Sequence, residues 1–87
     1  MTQYMVIETF FENCLEKAYE RFHDKGRMLP EGLHYIDSWL TKDGARCYQL
    51  METEEFDLFQ EWMKNWEDLA HFEILEIGEK PEKRDST

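Results

Sequence analysis

Glu8 and Glu52 occupy the same place in two hexapeptides that are nearly alike, YMVIET at residues 4–9 and YQLMET at 48–53. Tyr4 and Tyr48, Glu8 and Glu52, and Thr9 and Thr53 are identical pairs, while Val6 and Leu50, and Ile7 and Met51, exchange one apolar side chain for another. If the two segments lie side by side in register, the two carboxylates sit about 5 Å apart on neighbouring strands. Like charges that close hold at least one proton above the ordinary carboxylate range, and cover by a partner adds desolvation. Such a group is a candidate general base, and Tyr35, expected opposite Glu52, is a candidate donor to a carbonyl oxygen. Glu8, Glu52 and Tyr35 are therefore the catalytic candidates. Asp37 brings a third carboxylate, and Arg27, next to Gly26 in GRMLPEG (26–32), is the candidate counter-ion. The plainer reading is a solvated pair at the sheet rim, balanced by Arg27 or Arg46. No nucleophile elbow, phosphate loop or metal motif stands beside the acids, so catalysis is uncertain and binding without turnover is preferred.

The elements that must hold these residues follow from periodicity. QYMVIET (3–9) is rich in β-formers and runs into Thr9 and Glu12, spaced as a capping box, so a strand is expected to hand over to a helix. Phe11, Leu15, Ala18, Tyr19 and Phe22 recur at offsets of three and four, and Gly26 ends the pattern. LHYIDSWLT (33–41) and RCYQLMET (46–53) flank KDGA, whose Asp43-Gly44 predicts a type I′ hairpin. Thr53 with Glu54 and Glu55 predicts a second helix start, and Phe59, Trp62, Met63, Trp66 and Leu69 form its stripe. A last strand is expected near HFEILEI (71–77).

The order is β-α-β-β-α-β. It predicts an α+β ferredoxin-like fold: a four-stranded antiparallel sheet with two helices on one face. The first and third strands are expected to be equivalent, central neighbours that run parallel, which would make the two hexapeptides the same part used twice. One domain spans 1–78, and EKPEKRDST (79–87), with no apolar residue, reads as a mobile tail.

A turn at Asp43-Gly44 pairs Trp39 with Tyr48, Asp37 with Leu50 and Tyr35 with Glu52, and on the other face Leu40 with Cys47 and Ile36 with Met51. Alternation then places Met5, Ile7, Ile36, Leu40, Cys47 and Met51 beneath the helices. Tyr4, Val6, Glu8, Tyr35, Asp37, Trp39, Tyr48, Leu50 and Glu52 are left on the open face, about half of them aromatic. An uncovered patch of that kind is expected to meet something. The leading expectation is a homodimer through Tyr4, Val6, Trp39, Tyr48 and Leu50. It would enclose a small-organic-molecule pocket on the open sheet face, lined by Tyr35, Asp37, Trp39, Tyr48, Glu8, Glu52 and Arg27. The alternatives are a cofactor-free monooxygenase- or isomerase-like enzyme with Glu52 or Glu8 as base, and a protein-interaction module.

Ten Lys and Arg stand against twenty Asp and Glu, a formal charge of −10, which opposes nucleic acid and anionic membranes. With neither an apolar run of spanning length nor a signal-peptide pattern, a cytoplasmic protein is the expectation. Cys14 and Cys47 read as reduced, buried thiols, and His23, His34 and His71 are scattered. No metal site and no cofactor are expected. Finally, YMVIETF, GRMLPEGL, DSW and CYQLMET resemble a small, mostly bacterial family of uncharacterised domains over about residues 4–77. Its layout is similar to the dimeric α/β-barrel superfamily, which implies a fold and a face-to-face dimer, but no catalytic motif.

Overall fold

A computed structural model describes residues 1–78, so the expected tail at 79–87 lies outside the described residues. The elements are β1 (Thr2–Phe10), α1 (Leu15–Lys25), β2 (His34–Leu40), β3 (Arg46–Thr53), α2 (Leu58–Met63) and β4 (Ala70–Ile77). They form the ferredoxin-like α+β layout, with one four-stranded antiparallel sheet in the order β2-β3-β1-β4. No helix among the described residues is long and apolar enough to cross a membrane.

The two central strands run antiparallel, not parallel. In a split β-α-β unit the crossover makes β1 parallel to β2, and β3, hairpinned to β2, must then oppose both. Tyr4 pairs with Met51, Ile7 with Tyr48 and Glu8 with Cys47, whereas Glu52 pairs with Gln3. Glu8 and Glu52 therefore stand five residues apart along β1, about 17 Å at strand rise, at opposite ends of the sheet. The facing carboxylate pair does not form.

The antiparallel register also fixes the faces. Val6 and Met51 are fully buried, Tyr4 and Glu8 nearly so, and Thr53 and Gln49 join them on the side that the helices cover. Tyr4 meets Phe59 edge-on at 5.1 Å between ring centroids. The expected faces of β1 are thus reversed: Tyr4, Val6 and Glu8 point into the core, and Met5 and Ile7 point out. Tyr4 and Val6 are consequently not available as a dimer surface. The hexapeptides are not equivalent parts either, because Tyr4 faces the helices whereas Tyr48 lies across from Ile7 on the open side.

The β2–β3 hairpin keeps the expected register near its turn, with Trp39 on Tyr48, Leu40 on Cys47 and Asp37 on Leu50. The turn itself is wider than a two-residue type I′. Thr41 N–H donates to the Arg46 carbonyl at 2.8 Å, and Asp43 Oδ1 accepts from Thr41 Oγ1 and the Ala45 N–H. Gly44, at φ 75°, supplies the left-handed residue the loop requires. Beyond Asp37 a bulge at Ile36 shifts the register by one, so Tyr35 pairs with Met51 instead of Glu52, and Ile36 loses its expected partner. The bulge turns Tyr35 to the helix side, where its hydroxyl shares a 2.6 Å hydrogen bond with Ser38 Oγ.

Both helices begin later than their caps predicted. Thr9 remains in β1, paired with Arg46 and His71, and Asn13 at φ 62° redirects the chain before Leu15. The Thr9–Glu12 capping box is not formed. Thr53 does accept the Glu55 N–H at 3.0 Å, but it does so as the end of β3, and α2 starts only at Leu58. Phe59, Trp62, Trp66 and Leu69 form the core stripe as periodicity predicts. Helix α1 buries only Ala18. Tyr19 is half exposed and Phe22 nearly so, and this looseness opens a cleft beneath α1.

Candidate functional site

The cleft lies between α1 and the helix side of the sheet, with a volume of about 320 Å³. Glu8 of β1, Ser38 of β2, and Cys47 and Gln49 of β3 form its polar floor. Tyr19 and Phe22 of α1 wall it on one side, Trp62 and Trp66 on the other, and Arg27 enters from the α1–β2 connection. Each floor residue is there for a simple reason. Strand alternation that buries Val6, Met51 and Thr53 also sends Glu8, Cys47 and Gln49 inward, toward the end of the sheet that α1 covers loosely.

Glu8 pays for that position in proton affinity. Burial raises its carboxyl from an ordinary 4.5 to about 7, against the pull of a 3.3 Å hydrogen bond from Gln49 Nε2 to Glu8 Oε1 and the field of Arg27. Near neutral pH it therefore exchanges between acid and carboxylate. Cys47, paired with Glu8 across the strands, is pushed the other way from reactivity. Burial first, then the Glu8 charge, lifts its thiol to about 11, so it is not a thiolate nucleophile at neutral pH. Cys14 and Cys47 are both free thiols.

Arg27 is placed by its own backbone. Gly26 ends α1 at φ 68°, its N–H bonded to the Phe22 carbonyl, and Met28 follows at φ 58°. The Arg27 carbonyl then accepts from both Trp62 Nε1 (3.0 Å) and Trp66 Nε1 (3.1 Å), while Asn65 Nδ2 donates to the Met28 carbonyl. The indoles of Trp62 in α2 and of Trp66 in the turn that follows thus clamp the connection in place. The guanidinium lies 3.5 Å from the Tyr35 ring centroid and 4.9 Å from that of Phe22, a cation held between two aromatic faces. The one ion pair among the described residues is Arg21 with Asp68, so Arg27 stacks without a direct ion pair and reaches Glu8 only through its field.

The residues that sequence reasoning chose for one site are therefore divided. Glu8, Arg27 and Tyr35 come together on the helix side. Asp37, Trp39, Tyr48, Leu50 and Glu52 lie on the open face, where Asp37 Oδ1 accepts the Ser38 N–H and Trp39 is half exposed. Tyr35 is not opposite Glu52 and does not serve it as a donor. Ser38, Gln49, Tyr19 and Phe22 were not among the expected site residues. Gln49 had a legible signal: a polar side chain in the middle of CYQLM, at the phase of Met51. No group of three or more His, Cys, Asp or Glu among the described residues is arranged to hold a metal ion.

Fold and cleft together define a ferredoxin-like α+β domain with a polar-floored, aromatic-walled cavity on the helix side of its sheet. The chain belongs to the family described as domain of unknown function DUF3303, which it matches over residues 2–77. No curated protein and no solved structure matches it.

Proposed function

We propose that the chain is a homodimeric binding protein for a small organic molecule, and that the molecule sits in the cleft under α1 rather than on the open sheet face. The observation that carries this reading is a cavity whose floor holds a buried carboxyl titrating near neutrality beside a stacked arginine that makes no direct ion pair among the described residues. Buried polar groups converging on an apolar-walled cavity are the usual make-up of a ligand site. Binding is preferred to turnover. The carboxyl of Glu8 has the proton affinity of an acid-base catalyst, but the Tyr35 hydroxyl is engaged by Ser38 and the Cys47 thiol stays protonated.

The dimer rests on the open face. Met5, Ile7, Tyr48 and Leu50 form its centre, and Trp39, Leu75 and Ile77 are 51%, 45% and 39% exposed around them. Four strands about 27 Å long and 4.8 Å apart span roughly 500 Å² in plan, and side-chain relief brings that near the roughly 800 Å² each partner gives a standard interface. The charges suit a second copy. Arg46 flanks Thr9 at one end of the face and Glu52 flanks Gln3 at the other, so a twofold axis across the strands sets these two unlike charges toward each other.

The three tryptophans report on the two surfaces separately: Trp62 and Trp66 line the cleft, and Trp39 lies on the open face. In a fragment screen followed by the three indole N–H resonances, binders are expected to move Trp62 and Trp66 and leave Trp39 in place. Hits that move Trp39 alone would transfer the site to the open face and overturn the reading.

A further inference from the structure

We infer that the ligand is an organic carboxylate, its anionic head on the Arg27 guanidinium and its apolar body between Tyr19, Phe22 and the Trp62–Trp66 wall. This rests on the cleft being the binding site and adds the chemical class of what fills it. Three features carry it. Arg27 faces the cavity, its guanidinium lies over the rings of Tyr35 and Phe22, and it makes no direct ion pair among the described residues, although its field reaches Glu8. A guanidinium fixed by stacking keeps its fork of donors pre-oriented for a planar two-oxygen acceptor, which is how arginine recognises carboxylates.

The second feature is the shape of the walls. Phe10, Tyr19, Phe22, Leu40, Trp62 and Trp66 are all apolar or aromatic, and those of α1 are left half exposed because only Ala18 packs tightly. A flat hydrophobic body there would complete the packing that α1 lacks. The third is Glu8. Its neighbours that bear charge or a titrating proton are Arg27 from the connection, Cys47 from β3 and Tyr19 from α1, while β4 offers Phe72, α2 offers Trp62 and the turn after α2 offers Trp66. An incoming carboxylate cancels the Arg27 field that helps ionise Glu8, so Glu8 retains its proton and can donate to the ligand. Binding is then accompanied by proton uptake near pH 7, and weakens as pH rises above it.

The test uses the full chain with phenylacetate and its neutral isostere phenylacetamide, titrated at pH 6.5 against the Trp62 and Trp66 indole resonances. Phenylacetate is expected to bind at least about tenfold more tightly than the amide, as one charge-assisted paired contact provides. Arg27→Gln, which leaves the backbone carbonyl for the indoles, should bring the two affinities together, and Arg27→Lys should restore part of the preference. Equal binding of acid and amide to the native chain, with both moving Trp62 and Trp66, would overturn the carboxylate assignment and leave the cleft standing. If neither probe moves those indoles, the carboxylate assignment falls together with the cleft itself.

Discussion

The two faces of this sheet are built from almost the same kinds of residue and stand in different surroundings. On the helix side Tyr4, Val6, Met51 and Thr53 are sealed under Phe59 and Trp62, and the packing loosens only toward Glu8, Cys47 and Gln49, where α1 stands off. On the open side Met5, Ile7, Tyr48, Leu50 and Leu75 lie with no element of the described residues above them. The Glu8 carboxyl, set among apolar residues on the first face, loses water and gains proton affinity, and Glu52 on the second face is only partly buried. The proposed ligand site therefore falls where the fold covers its polar groups incompletely, and the proposed dimer surface where it leaves apolar ones bare.

The contrast is broken most severely by exchanging the character of one residue per face. Val6→Asp buries an unpaired charge at a fully enclosed position and should cost more than about 4 kcal/mol, enough to unfold a domain of this size. Leu50→Asp, one strand away on the open side, should leave a folded monomer, and urea titration followed by circular dichroism separates the two. A pair of variants that lose equal stability would erase the distinction between faces.

The next effect is the proton on Glu8. The folded chain holds it to about pH 7, whereas at the ordinary value of 4.5 the unfolded chain has released it. This contribution to stability is thus full below 4.5 and is lost as pH rises to about 7, a change of about 3 kcal/mol. The lowered carboxyl of Asp68, bonded by Arg21, works in the opposite sense and only in acid, below its ordinary 3.8. Glu8→Gln keeps a partner for Gln49, should remove the decline between pH 4.5 and 7, and should gain up to about 3 kcal/mol at pH 8.5. Denaturant midpoints across that range check it.

Smaller in stability, though large in assembly, is Trp39→Arg. It should split the proposed dimer in size-exclusion chromatography with light scattering while changing monomer stability by no more than about 0.5 kcal/mol. Arg21→Ala marks the lower end. It removes a bidentate but exposed pair with Asp68 and should cost about 1 kcal/mol or less in chemical denaturation, with less effect in high salt.

Much of the fold was legible because its signals are local. The element order, Gly26 as a helix stop, the Phe59–Trp62–Trp66–Leu69 stripe and the hairpin register beside Asp43-Gly44 each follow from spacing within a dozen residues. The faces of β1 were not legible by alternation, since Tyr4 and Val6 alternate with Met5 and Ile7 and both sets are apolar. Only the antiparallel pairing of Tyr4 with Met51 decides between them, and that is a property of the topology. The bulge at Ile36 has no glycine to announce it, yet it moves Tyr35 from one face to the other. Glu8 and Arg27 were singled out as chemistry-bearing residues, but their neighbours were assigned from the wrong face. The indole donors of Trp62 and Trp66, which need acceptors once buried, were the overlooked pointer to the Arg27 backbone.

The most direct test of the division between the faces is the titration of the Glu8 side-chain carboxyl by carbon-13 NMR, with Glu8→Gln identifying its resonance. An apparent pKa near 7 is the result expected for a carboxyl enclosed in the cleft under α1. A value near 4.5 would mean that water reaches Glu8 freely, and would contradict the placement of the site on the helix side.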